Sequence, residues 1–509
     1  MNKEKICINE TVFDGELEQS IELDYMLPDY CPNIFKILQS RMEVKISNSQ
    51  VDGRKLTIDG TAYLHVLYLG EESGRMRQLE QKQPFTKTAE LKEECTGAVV
   101  TVVPRCDHFH CRAVNSRRLD MRGAVTLKTT VFRPKQVEAV TGCSHLQVHR
   151  REWECCGTPM VARKDFTIQE DLMIEQGKPP IQDVIHYEAT AFVEECKLLS
   201  NKAVCKGQLH LHTLYLCSDH PEQPEVMEHV LPISQIVDMD GLDEECQCSV
   251  SLEVVRYDMD LQIEDDGECR SFHADVGIRA VCQAGKNKRI AVADDGYSIG
   301  YEMESETQTV KLQKICQPIN QTVMTKAVVP TEGASLSGIY DLICEINGVG
   351  WECRTGRLNL TCMMPVTVIA GDEEGKPVSI HRAIPLEAEL CSITEEKTFL
   401  FQPHVQIESI SYHMGVGKEI ELRISLSVTG MLYETEEMPL MTNVKVLEDH
   451  PKTRKNDCTL LLYYADAGEN IWEIAKRYST SVNAILEENA LEQEVIPARG
   501  MVLIPIIDE

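Results

Sequence analysis

Apolar and polar residues alternate with a period of two along most of this chain, up to about residue 448, which predicts strand after strand rather than helices. Val44, Ile46, Leu56 and Ile58 flank Val51-Asp52-Gly53-Arg54, a hairpin pattern with Asp-Gly at the turn. Leu64 to Leu69 is a fuller apolar run and predicts a more buried strand, ended by the polar turn Gly70-Glu71-Glu72-Ser73-Gly74. Further alternation follows at Val99, Thr101 and Val103, then at Leu119, Met121, Val125 and Leu127. Ahead of these strands, Leu27-Pro28-Asp29-Tyr30-Cys31-Pro32 carries two prolines that fix an extended approach to Ile34, Ile37 and Leu38.

The pattern is written more than once. At a constant offset of 147, Pro32 falls on Pro179, Ile34 on Ile181, Gly60 on Gly207, and 64–69 on 211–216. The following half recurs at 151: Glu93-Glu94-Cys95 as Glu244-Glu245-Cys246, Arg105 as Arg256, Val125 as Val276. The four extra residues are expected in the loop from Cys217 to Pro224. A weaker copy lies about 301 residues on, where Gly70, Gly74 and Pro84 recur as Gly371, Gly375 and Pro385. Self-similarity of this kind marks duplicated units. The expected fold is mainly β, with modules at 20–145, 166–295 and 312–448, an N-terminal segment at 1–19 and linkers at 146–165 and 296–311.

After a third linker, 449–457, the character changes over 458–509. Leu460 to Tyr464 predicts a strand, and Ile471, Ile474, Ala475 and Tyr478 mark one face of an amphipathic helix. Ser481 is placed to cap a second helix reaching Asn489, and 502–505 predicts a closing strand. Strand, helix, helix, strand makes a small α+β unit.

Charge narrows the partners. With 51 Lys and Arg against 81 Asp and Glu, the net charge is -30, and no local basic patch offsets it, so no nucleic-acid partner is expected. No apolar leader follows Met1, and no run of about 18 apolar residues suggests a transmembrane segment, so a cytoplasmic protein is expected. The 21 cysteines are then expected to be reduced thiols.

Candidate chemistry is sparse. Cys106, His108, His110 and Cys111 could ligate zinc, but at the 151 offset Cys106, His108 and His110 become Tyr257, Met259 and Leu261, the pattern of an ordinary half-buried strand. Cys143, His145, His149, Cys155 and Cys156 cluster without a paired-ligand spacing, and Cys246-Gln247-Cys248 has a single intervening residue. His65 and His212 are equivalent, but no nucleophile or acid recurs with them. Trp472 is read as a packing residue. No catalytic residue, metal site or cofactor is expected, and the chain is read as a non-enzyme.

Tyr463, Gly468, Ile471-Trp472, Ile474-Ala475, Tyr478, Ser481, Ile485, Asn489 and Ile504-Pro505 together resemble a LysM domain. Glu469 and Asn470 stand where that family has Asp and Thr or Ser, Ala465 replaces a usual Val, and Gly500 comes one residue late. The resemblance implies a groove for N-acetylglucosamine-type glycans between two loops, here Ala467, Gly468, Glu469, Asn470 and Ile471, and Ala490, Leu491, Glu492 and Gln493, with Arg499 nearby. Residues 27–38 resemble the start of the SPOCS module of sporulation proteins of clostridia and their relatives. Several such modules before one C-terminal LysM domain is the layout of SipL-like spore coat morphogenetic proteins. That likeness implies a scaffold in the mother cell at the forespore surface. It implies a LysM domain that binds the ATPase forming the coat basement layer, with other coat proteins as further partners. Peptidoglycan-type glycan is the alternative ligand.

Overall fold

A computed structural model describes residues 2–507 except 72–73, 158, 218–222, 266, 332–334, 395, 416–418 and 454–457. Most of the insertion expected in the Cys217–Pro224 loop, the middle of the Gly70–Gly74 turn, and the end of the 449–457 linker lie outside the described residues.

The first unit contains β1 (Asn2–Met26), β2 (Ile34–Asp52), β3 (Lys55–Gly70), β4 (Met76–Glu90), β5 (Val99–Asn115) and β6 (Arg118–Gly142). They form two antiparallel sheets, β1-β6-β5 and β2-β3-β4. Alternation places the core: Leu56, Ile58, Ala62, Leu64 and Val66 of β3 face Leu119, Met121, Val125 and Leu127 of β6, all with no measurable exposure. The β2–β3 turn is at Asp52-Gly53, where φ of Gly53 is 58°.

Next comes β7 (Gln147–Cys156), then a second set: β8 (Met160–Met173), β9 (Ile181–Leu199), β10 (Lys202–Cys217), β11 (Pro224–Asp238), β12 (Gln247–Ile263) and β13 (Cys269–Gly285), followed by β14 (Asn287–Tyr297). Its sheets, β12-β13-β8 and β11-β10-β9, repeat the strand order of the first unit. The third set is β15 (Tyr301–Pro330), β16 (Gly338–Cys344), β17 (Asn347–Arg354), β18 (Arg357–Gly371), β19 (Pro377–Ser392), β20 (Thr398–Phe401), β21 (His404–Met414) and β22 (Glu419–Pro451). Here β22 pairs with β15 on one side and β20 and β21 on the other, while β18 pairs with β16, β17 and β19. The order is the same, with two strands each broken in two.

Three of the expected boundaries are corrected by strand pairing. Residues 2–19 are not a separate segment but the first part of β1, which pairs with β6 from Asn2↔Gly142 to Met26↔Arg118. The expected linker 146–165 contains β7 and the start of β8, and 296–311 contains the end of β14 and the start of β15. The physical reason is shared. In each unit the first and last strands run on past the sandwich as a two-stranded ribbon: 2–11 with 132–142, β7 with β14, and 301–315 with 433–451. Backbone groups that a linker would leave to water are paired there.

The ribbons pack on one another. Ile6, Ile8, Val137 and Ala139 of the first meet Cys155 and Val292 of the second and Val310, Leu312, Met438 and Leu440 of the third. A second junction joins Leu38, Leu67 and Leu69, Ile185, Leu214 and Leu216, and Ile343 and Ile369. The three units thus close a ring, each touching the other two. Between the apolar junctions lies a cavity of about 480 Å³ walled by all three, including Lys45, Arg163, Arg279 and His404.

The C-terminal unit is β23 (Leu460–Ala465), α1 (Ile471–Tyr478), α2 (Val482–Glu488) and β24 (Gly500–Pro505), with β23 antiparallel to β24. Asn470 caps α1, its Oδ1 accepting from the Trp472 N–H at 2.8 Å. Among the described residues no helix is long and apolar enough to cross a membrane.

Candidate partner-binding face of the C-terminal unit

The first loop singled out in the sequence, 467–471, is joined through backbone to Glu494 and Ile496, just after the second, 490–493. Gly468 N–H donates to Ile496 O, Ile496 N–H to Glu469 O, and Ile471 N–H to Glu494 O, each at 2.9 Å. Gly468 has φ 89°, a left-handed turn that glycine adopts without strain. Ala490 takes φ 48° at the other loop, where the Leu491 N–H returns to Leu486 O.

Several candidate residues are already engaged within the unit. Glu469 accepts from the Tyr463 hydroxyl at 2.8 Å and the Asp466 N–H at 3.2 Å, and the first of these bonds holds its carboxyl below the usual range. Asn470 is the helix cap, Ile471 is fully buried, and Leu491 packs half-buried against the core. Ala467, Gly468, Ala490, Glu492 and Gln493 are exposed. The loop pair therefore presents little free hydrogen-bonding equipment and an acidic rim at Glu492 and Glu494.

Alternation along β23 reveals a face that the sequence reading did not single out. Leu461, Tyr463 and Ala465 point to the core, while Leu460, Leu462 and Tyr464 point to solvent at 41%, 70% and 62% exposure. Across the ladder Tyr464 pairs with Met501, itself 72% exposed, and Leu462 pairs with Leu503. The Arg499 guanidinium lies 5.5 Å from the Tyr464 ring and pairs with Asp466 at 3.0 Å. The available signal was that both faces of a short two-stranded sheet are apolar.

The opposite side of the unit is docked on the second ribbon. Trp472 Nε1 donates to Asp295 Oδ2 at 2.9 Å, and Lys476 Nζ approaches the same carboxylate at 2.6 Å. Tyr297 meets the Trp472 ring edge-on at 4.9 Å and donates its hydroxyl to Thr480 O at 2.7 Å. Burial raises the Asp295 pKa, but the bonds from Lys476 and Trp472 outweigh it and the net shift is downward. Trp472 is a packing residue in this structure, 6% exposed. Asp295→Ala should weaken the docking by about 1.5–3 kcal/mol. The expected sign is a red shift of Trp472 emission in a chain with Trp153 and Trp351 replaced by Phe. Unchanged emission would mean the contact holds without the carboxylate.

The other sequence candidates are dispersed. Cys106 and Cys111 pack half-buried against the first core, and burial pushes their thiols up to about 11 and about 12. His149 lies by Asp294 at 2.6 Å and stacks near Trp472, while Cys155 is in the ribbon junction. Among the described residues no group of three or more His, Cys, Asp and Glu is placed to hold a metal ion. His65 and His212 line the meeting point of the three units. His212 Nε2 is 2.9 Å from Asp341 of the third unit, and His65 Nδ1 is 3.7 Å from Glu80.

Comparison with known proteins gives one family. The description "SipL, SPOCS domain" matches residues 33–114 and 180–262, which cover the same four strands of the first and second units. The third unit and the C-terminal unit lie outside the match. No curated protein and no solved structure matches the chain. The chain thus carries two copies of a SipL-type SPOCS domain, on equivalent strands of its first and second units.

Proposed function

We propose that this protein is a non-enzymatic scaffold of spore coat assembly, with SPOCS-like modules forming its body and the C-terminal unit acting as a LysM-type domain that binds a protein. In this reading the partner is the ATPase of the coat basement layer, met on the mother-cell side of the forespore. The observation that supports a protein partner is the exposed sheet face Leu460, Leu462, Tyr464 and Met501, flat, apolar and edged by Arg499. Such a surface suits burial against another protein. A glycan reading would rest on the 467–471 and 490–493 loops, where Glu469 and Asn470 are already occupied by Tyr463, Asp466 and the helix end.

The full chain is the right reagent, because the unit is docked on the second ribbon through Trp472. Leu462→Glu together with Met501→Glu should reduce capture of the ATPase at least tenfold while leaving the melting temperature within about a degree. Chitin oligosaccharides should show no saturable binding to the unmodified chain. Retained capture by the double variant, or saturable oligosaccharide binding lost on altering Gly468 and Gln493, would overturn the reading.

A further inference from the structure

The second unit differs from the other two in one interior detail. Cys196 stands directly opposite Cys205 across β9 and β10. On the facing sheet, Cys248 of β12 and Cys282 of β13 have their sulfurs 3.3 Å apart. The Cys196 thiol also lies within reach of those of Cys205 and Cys248. Four sulfurs therefore form an unbroken row, Cys205–Cys196–Cys248–Cys282, that crosses from one sheet of the sandwich to the other. Cys205 and Cys282 are fully buried, whereas Cys196 and Cys248 are partly buried.

The internal repeat serves as a control. At the 147 offset Cys196 and Cys205 correspond to Ser49 and Ile58, and at 151 Cys248 and Cys282 correspond to Gly97 and Val131. In the third unit the place of Cys205 on the central strand is taken by Leu360, which is as deeply buried. The fold does not require sulfur at these positions, since the first unit has aliphatic Ile58 and Val131 at the two buried ones and Ser49 and Gly97 at the other two. Nor is the row a metal shell, because the contacts run in sequence instead of closing around a point.

The chemistry favours oxidation. The neighbouring thiols, Cys205 first and then Cys248, lower the pKa of the Cys196 thiol, while Cys196 pushes both neighbours up. A partly buried thiol made more acidic by a second thiol in reach is the arrangement of a redox-responsive cysteine and its resolving partner.

We propose that the row is an oxidative modification site, in which a hydroperoxide oxidises Cys196 and Cys248 resolves it as a disulfide joining the two sheets of the second unit. The Cys196 thiolate attacks one peroxide oxygen and the O–O bond breaks. Cys196 becomes a sulfenic acid, and hydroxide leaves, taking a proton to become water. The Cys248 thiol, giving up its proton, then attacks the Cys196 sulfur, the S–O bond breaks, and a second water departs. With hydrogen peroxide, two thiols are oxidised and the peroxide is reduced to two waters. The disulfide closes between β9 and β12, which lie in different sheets and share no ladder among the described residues, so oxidation staples the sandwich.

The test uses the full chain treated with stoichiometric hydrogen peroxide and read by peptide mass spectrometry without reduction. The expected product links the Cys196 peptide to the Cys248 peptide. In Cys248→Ser, a dimedone adduct should accumulate on Cys196 instead, and Cys196→Ser should slow oxidation at the row at least tenfold. Modification confined to the exposed Cys7 and Cys353, with Cys196 left unlabelled, would overturn the proposal. So would one tightly held zinc per chain whose removal is needed before Cys196 reacts.

Discussion

Gly207→Val should unfold the second unit at a markedly lower temperature than the parent chain. A Cβ at Gly207 would lie 2.0 Å from the Phe192 carbonyl oxygen and 3.0 Å from its carbon, and backbone cannot swing aside as a side-chain tip can. The site is also where the β9–β10 register shifts, between Lys206 and Gly207, so the close approach belongs to a bulge that glycine permits. The cost should reach or exceed the upper end of the roughly 1–3 kcal/mol seen for overpacking. Gly53→Ala is the matched comparison. There φ is 58° and nothing lies within 4 Å, so only about 1 kcal/mol of conformational strain is expected. Equal losses in a calorimetric comparison of the two variants would contradict the steric account.

The second large effect is on pH. His212 is buried, which lowers its affinity for a proton, but the hydrogen bond and charge of Asp341, with Glu188 and Glu228 behind it, win and raise its pKa to about 9. A raised folded pKa makes the stabilisation fully present below the unfolded value near 6.5 and lost as pH climbs through about 9. The size is on the order of 3 kcal/mol, placed where the second unit meets the third. His65 has the opposite sign. Burial first, then Arg41 and His186, hold it well below the ordinary histidine range, so acid costs stability by forcing a charge into the ring. Melting temperature should fall between pH 6.5 and 9 in the parent chain, and Asp341→Asn should flatten that limb. A parent curve flat across this window would refute the assignment.

The local pattern was legible and the long-range closure was not. Period-two alternation picked out Leu56 and Ile58, the apolar run Leu64 to Leu69 marked the more buried part of the same strand, and Asp52-Gly53 named its turn, because these signals are local. The recurrence of Gly60 as Gly207 was visible, but its cause was not, since a carbonyl that approaches from a neighbouring strand leaves no mark at the glycine. Residues 2–19 and 146–156 looked like a leading segment and a linker because ribbon strands carry only a few buried positions each, such as Ile6 and Ile8, whose partners lie more than a hundred residues away. At the C-terminal unit the helix face Ile471, Ile474 and Ala475 could be read from spacing. That Trp472 would reach Asp295 could not, because the contact joins two units.

The pairing of first strand with last in every unit brings each module's two ends together at the ribbon. A gene segment for one such module could be copied in line without rethreading anything, and three separate single-module chains would present the same ribbons to the same junction. The present chain has the form that a homotrimer takes after fusion. Fusion frees the copies from identity: where three equal subunits would repeat one residue three times around the ring, this chain holds His65, His212 and Thr367. It can lower an imidazole's hold on its proton in one copy, raise it in the next, and keep a row of thiols in only one.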